Sequence, residues 1–244
     1  MSPGEVVVRR REERRIEIDA CAIHARYVGA MYNTHVEALA ESLGVLPESL
    51  RNLQVGRAYE WCEGTYSFPM RDANEAVIGL RLRNAEGHKW AVYGSRNGLF
   101  IPMDLDVPKT VCVCEGPTTA AAILSWGFYT IGKPSNSGGL DMLRDFLKRV
   151  GPRNVVIISE NDARDSCEHC EDNYCLHCHP GDVGADMTAK ALDGVAKTIR
   201  IINPLMGKDA REWRSRGGTA AGFISVVDNT PNWHGGQSVR ANRH

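Results

Sequence analysis

From Thr110 to Gly217, short apolar runs alternate with helix-like runs, and this alternation constrains the fold more than any other feature. "TVCVC" (110–114) precedes "TTAAAILSW" (118–126), and "FYTI" (128–131) precedes the amphipathic "SGGLDMLRDFLKRV" (137–150). "NVVIIS" (154–159) is then followed, after an irregular loop, by "VGADMTAKALDGVAK" (183–197), "TIRII" (198–202) and "DAREWRSRG" (209–217). Strand runs that are apolar throughout are those buried on both faces, and their alternation with helices predicts a mainly parallel sheet flanked by helices. Gly127 reads as the stop of the helix that follows the first strand. Sheets of this class place their sites at the carboxyl ends of the strands.

Those ends carry acids. Glu115 closes the first strand, and Glu160 and Asp162 follow "VVIIS" with one residue between them, a spacing that in extended chain aims both the same way. Asp209, after "TIRII", is a fourth candidate. Carboxylates brought together repel one another unless a divalent cation neutralises them. Mg²⁺ (or Mn²⁺) suits an all-oxygen set that leaves positions free for phosphates. The loop "GKPSNSGG" (132–139) lies at another strand end, where backbone N–H groups can meet phosphate or simply make a turn.

Upstream, residues 32–53 carry helical periodicity, with Gly44 as a stop and Pro47 opening a second helix. Residues 54–103 change to short β-type runs, "TYSFPMRD", "AVIGLRLRN", "HKWAVYGS" and "GLFIPM", an antiparallel meander in prospect. Arg81 and Arg83 alternate with Leu80 and Leu82 and so share one face. The expected organisation is a charged N-terminal segment over 1–30, a small α+β subdomain over 31–106, an α/β domain over 107–225, and a flexible tail over 226–244. The run "RRREERR" fits a solvated face or a nucleic-acid arm. With 29 basic and 30 acidic residues the chain is not one that binds nucleic acid by bulk charge. No apolar run approaches the ~20 residues of a membrane span, and the N-terminus lacks a signal-peptide core, so the chain reads as cytoplasmic.

Four of the eight cysteines fall within an insert at 165–181, as Cys167, Cys170, Cys175 and Cys178. Two C-x2-C pairs suit one tetrahedral ion, Zn²⁺ first, with an iron–sulfur centre as the alternative. His169, His177 and His179 are additional candidate ligands. Placed just after Asp162, the insert is expected to staple the loop that bears the acids.

"VCVCEGPTTAAAILSWGF", "VVIISENDA" and "GADMTAKAL…IRIINPLMGKDAREW" resemble a Toprim domain, with its glutamate-glycine turn and its Asp-x-Asp pair. "YSFPMRDANEAVIGLRLRNAEGHKWAVYGSRNGLFIP" is similar to the strand-rich subdomain that precedes Toprim in bacterial, phage and plasmid DNA primases. The resemblance covers roughly residues 40–215. It implies Mg²⁺-dependent primer synthesis on single-stranded DNA from nucleotide triphosphates, with Glu115, Glu160 and Asp162 as catalytic, metal-binding residues and Asp209 as a further ligand. It also implies that Arg71, Arg81, Arg83, Lys89, Arg96 and Lys208 contact template or nucleotide phosphates. Two positions depart from the pattern: Glu160 replaces the first aspartate of the pair, and Thr119 stands where primases commonly carry an acid. They keep open a Toprim-type nuclease, or an impaired nucleic-acid-binding accessory protein. No G-x4-GK[ST] segment is present, so unwinding would fall to a separate helicase or to a further part of a longer gene product.

Overall fold

The computed structural model describes residues 18–163, 167–171 and 174–235. The "RRREERR" run lies outside them. Three helices lead, α1 (Ala20–Gly29), α2 (Asn33–Leu43) and α3 (Pro47–Asn52). An antiparallel sheet follows, β1 (Gly56–Arg57), β2 (Tyr66–Arg71), β3 (Val77–Arg83) and β4 (Lys89–Ala91), ordered β1-β2-β3-β4. Gly44 ends α2 at φ 67° and Pro47 opens α3, as the sequence predicts.

The second half runs β5 (Thr110–Glu115), α4 (Pro117–Leu124), β6 (Thr130–Lys133), α5 (Leu140–Val150), β7 (Asn154–Ile158), α6 (Pro180–Ala191), β8 (Thr198–Ile202), α7 (Ala210–Ser215) and α8 (Ala220–Asn229). Its four strands are all parallel and ordered β6-β5-β7-β8. The predicted α/β class, a parallel sheet flanked by helices after an antiparallel meander, is what the chain adopts.

Both faces of the parallel sheet are buried, which is why its strands are apolar at nearly every position. On one face Val111, Val113, Val155 and Ile157 pack with Leu143, Phe146 and Leu147 of α5 and Ala185 and Ala189 of α6. On the other, Cys112, Cys114, Val156 and Ile158 pack with Ile123, Trp126, Trp213 and Phe223. Every residue of α4 is buried, because Ala121, Ala122 and Leu124 also pack on α2, α3 and the antiparallel sheet. A helix apolar on all sides is one covered on all sides. The helix stops at Leu124, short of Gly127, which takes φ 90° in the following turn.

"GLFIP" forms no strand of the meander. It makes two single bridges instead. Leu99 exchanges backbone hydrogen bonds with Arg71 (2.7 and 2.8 Å), and Phe100 does so with Gly132 (2.8 and 3.0 Å). This segment ties the antiparallel sheet to β6, at the edge of the parallel sheet, and sets the cleft between them.

Helices reach into both terminal segments, 1–30 and 226–244. Asp19 caps α1, and Tyr27 of that helix packs with Leu80 and Leu82 on the back of the antiparallel sheet. At the other end α8 runs to Asn229, and Trp233 bonds from its backbone N–H to the Ile199 carbonyl (2.7 Å) and from Nε1 to Asp186 (3.1 Å). Among the described residues no helix is long and apolar enough to cross a membrane.

Candidate active site

β5 ends at Glu115, and the chain turns at once through Gly116, whose φ of 74° suits glycine. Its N–H donates to the Lys133 carbonyl (2.8 Å), and Glu115 and Lys133 stand side by side in the parallel register. β7 delivers the second set of acids. Asn161 N–H donates to the Lys208 carbonyl (2.7 Å), and its side-chain amide donates to the carbonyls of Pro204 (2.9 Å) and Gly207 (3.0 Å). The segment carrying Lys208 and Asp209 is thereby fixed against Glu160 and Asp162.

Asp162 Oδ1 accepts from the Gly181 N–H at 2.9 Å, in the first turn of α6. Only glycine fits there: a Cβ at position 181 would stand 2.2 Å from the Glu160 carbonyl oxygen and 2.9 Å from Asp162 Oδ1. Asp209 caps α7 through the Glu212 N–H (2.8 Å), so one of its oxygens is engaged. Glu160 pairs with Lys208 Nζ at 3.2 Å.

The electrostatics follow from burial. The Glu160 carboxyl is pushed up to about 7 by desolvation and then by Glu115, against the pull of Lys208. Glu115 is raised by desolvation, with Asp162 adding and Lys133 opposing. Glu115 Oε2 is buried without a hydrogen-bond partner. An all-oxygen set containing an orphaned carboxylate oxygen fits Mg²⁺ or Mn²⁺.

Basic groups form the facing wall. Arg81, Arg83 and Lys89 line a cleft with Phe68, Phe100 and Glu115. Arg83 lies opposite Lys89 and Arg81 opposite Ala91 across the β3–β4 ladder. Lys89 is lowered by desolvation and by Arg83 and Arg211, and is raised by Glu160 and Asp209. Arg71 and Arg96 are not brought to this cleft. Arg71 is buried at 5% exposure, donating to the Glu75 carbonyl (2.8 Å) and to Gln54 Oε1 (2.5 Å). Arg96 lies in the segment after β4, its backbone N–H bonded to the Ile78 carbonyl at 3.0 Å.

Three site residues were missed from sequence. Lys133 is 3% exposed, donates to the Asn136 carbonyl and to Thr188 Oγ1 (both 2.6 Å), and is held down to about 8 by desolvation, with Glu115 opposing. Its signal was a lysine ending a strand in register with Glu115. Arg211, two residues past Asp209, joins the basic wall. Asp182, buried at 3%, accepts from Ser159 Oγ (3.1 Å) and Asn203 Nδ2 (3.3 Å) behind Glu160. Thr119 lies buried in α4.

Beyond Asp162 the four cysteine sulfurs converge within 4.8 Å of one another. Cys167–Cys175, Cys170–Cys178 and Cys175–Cys178 are separated by 3.6, 3.7 and 3.8 Å. Thiolates at about 2.3 Å from a central zinc define tetrahedral edges of about 3.8 Å. Each C-x2-C pair also receives a backbone N–H on its first sulfur, His169 to Cys167 and His177 to Cys175 (both 3.4 Å). The cluster has the shape of a tetrahedral metal site. His169 and His177 stack on each other with centroids 4.1 Å apart, outside that sulfur set.

Solved structures share this architecture. A DnaG primase catalytic domain bound to ssDNA superposes with a TM-score of 0.62 at 14% identity, over 87% of this chain and 78% of that one. The fold is that of a primase catalytic core. The E. coli primase catalytic core gives 0.60 at 14% identity, over 87% and 79% of the two chains. The RNA polymerase domain of Mycobacterium tuberculosis primase DnaG gives 0.54 at 14%, again over 87% and 79%. No protein-family model matches the chain, and no curated protein matches it. Within the primase fold, the cleft lies between the antiparallel sheet and the carboxyl ends of β5 and β6.

Proposed function

We propose that the chain is a DNA primase-like nucleotidyltransferase that makes short primers on single-stranded DNA. One observation carries this reading. In a primase fold, Glu115, Glu160 and Asp162 gather at adjacent strand ends opposite Arg81, Arg83 and Lys89, which have no carboxylate ion-pair partner within 4.0 Å among the described residues. Acids that need a cation beside bases that need an anion suit a metal-bound triphosphate.

Glu115, Glu160 and Asp162 would hold Mg²⁺ or Mn²⁺, with the free oxygen of Asp209 within the same field. The ion, when bound, supplies charge neutralisation on the triphosphate and orientation of the attacking 3′-hydroxyl. Arg81 and Arg83 present planar donors to phosphate oxygens, and Lys89 adds a point charge. Lys208, which pairs with Glu160, is freed for phosphate once Glu160 turns to the metal. Lys133, while protonated, supplies positive charge behind Glu115 and favours its ionised, ligating form. The four-cysteine cluster takes Zn²⁺ and braces the segment after Asp162. Single-stranded template and nucleotide triphosphates are the partners, with a separate helicase for unwinding.

The test incubates single-stranded template with labelled nucleotide triphosphates and Mg²⁺ or Mn²⁺, beside a Glu115→Ala control. De novo oligonucleotides that disappear in the variant are expected. Metal-dependent shortening of the template without nucleotides would assign a nuclease instead, and template retention without turnover would assign a binding protein.

A further inference from the structure

The cysteine cluster and the acidic cluster share one piece of chain. Asp162 lies five residues before Cys167, and Cys178 lies two before Pro180, the first residue of α6. The second knuckle runs directly into that helix: His179 N–H donates to the Cys175 carbonyl (2.8 Å), and Val183 N–H donates to the His179 carbonyl (3.0 Å). Within the same first turn Gly181 N–H holds Asp162 Oδ1, and Asp182 receives Ser159 and Asn203 from the ends of β7 and β8. The excursion that leaves the site at Asp162 therefore returns to Asp162 at Gly181, and four sulfurs meet partway along it. Cys178 is fully buried and the other three cysteines are half-buried, so the cluster meets the fold through its last ligand.

We propose that zinc held by Cys167, Cys170, Cys175 and Cys178 positions Asp162 through the first turn of α6, and so links zinc occupancy to divalent-cation affinity at Glu115, Glu160 and Asp162. The inference rests on the reading of those acids as a cation site. Asp162 is a candidate ligand, and the cluster acts on it as a positioning element. Outer partners that orient a ligand typically contribute about 10–100-fold to metal affinity. Linkage is reciprocal for binding, so a cation at the acids must raise zinc affinity by the same factor.

The experiment uses the full chain. Metal analysis comes first and should find one zinc per chain; iron with inorganic sulfide, or no metal, overturns the proposal. Mn²⁺ binding is then measured by electron paramagnetic resonance on zinc-loaded protein, on protein stripped with a mercurial thiol reagent and desalted, and on stripped protein treated with thiol and zinc. Circular dichroism confirms that the stripped protein remains folded. A fall in Mn²⁺ affinity of roughly tenfold or more on stripping, reversed by zinc, is expected. Equal affinity in all three states overturns the linkage and leaves the proposed function intact. Absence of Mn²⁺ binding in every state, or binding unchanged by Glu115→Ala, overturns both. If stripping unfolds the chain, zinc affinity measured at equilibrium against a chromogenic chelator decides: saturating Mn²⁺ should raise it roughly tenfold or more, and an unchanged affinity refutes the linkage.

Discussion

Glu160 makes divalent-cation binding pH-dependent in a range where an ordinary glutamate would not. Its carboxyl is pushed up to about 7 by burial and by Glu115, and Lys208 at 3.2 Å only partly offsets the shift. A ligating carboxylate must be ionised, so a proton and the cation compete for the same oxygens. With that midpoint, the ionised fraction falls about tenfold between roughly pH 8 and pH 6, and apparent Mn²⁺ affinity falls with it. Glu115 is raised as well, by desolvation first. The Lys208 side chain is 56% exposed, so solvent screens its pairing with Glu160 to about 0–1 kcal/mol. Lys208→Met should therefore move the midpoint upward by no more than ~0.7 pH unit. Folding stability carries the same signature. A folded-state carboxyl raised above its unfolded value favours the fold at low pH, so cation-free protein should lose stability as pH rises from the ordinary glutamate range through about 7. Saturating Mn²⁺ should restore the melting temperature most at the upper end of that window. Electron paramagnetic resonance of free Mn²⁺ across this range reads the affinity. A flat profile in wild type, or one unaltered by Glu160→Gln, would refute the placement of Glu160 in the cation site.

Gly181→Ala drives a Cβ against the Glu160 carbonyl and Asp162 Oδ1, and should cost about 1–3 kcal/mol in a denaturant melt while weakening Mn²⁺ binding. Arg71→Ala and Arg83→Ala should separate cleanly. The first removes a buried guanidinium holding Gln54 and Glu75 and lowers stability by ~1–3 kcal/mol, whereas the second barely moves stability and weakens triphosphate binding, measured by fluorescent-nucleotide titration. Lys133→Met leaves the Asn136 carbonyl without its donor and Glu115 without the cation that most favours its charge, so stability should fall by about 1–3 kcal/mol and Mn²⁺ affinity at pH near 7 should fall with it.

Periodicity made the parallel half legible. β5 and β7 carry no face for solvent, and their apolar runs say so directly. Glu115, Glu160 and Asp162 stand out because burial of such runs gives no reason for acids at their ends. What escaped depended on contacts between distant segments. Arg71 reads as one more arginine of a meander face, but the ladder is irregular between Met70 and Arg71, which pair with Gly79 and Val77 and skip Ile78. That irregularity breaks strand alternation and leaves Arg71 engaged with Gln54. Asp182 was hidden by the cysteine insert, which separates it in sequence from Ser159, the residue it binds. Lys133 lies in "GKPSNSGG", whose glycines and serines point to a turn or to backbone N–H groups and not to its one cation. "AAGFISVVDN" was split between the sheet domain and the tail, although Phe223, Val226 and Val227 give it a face that packs beside Trp126 and Trp213.

The account stands most directly on where a divalent cation binds. Crystals of the zinc-loaded chain soaked in Mn²⁺, measured at the manganese absorption edge, should show an anomalous peak bonded at about 2.1 Å to carboxylate oxygens of Glu115 and Glu160 or Asp162. A chain that makes primers yet shows its manganese elsewhere, with those three carboxylates unligated, would contradict it.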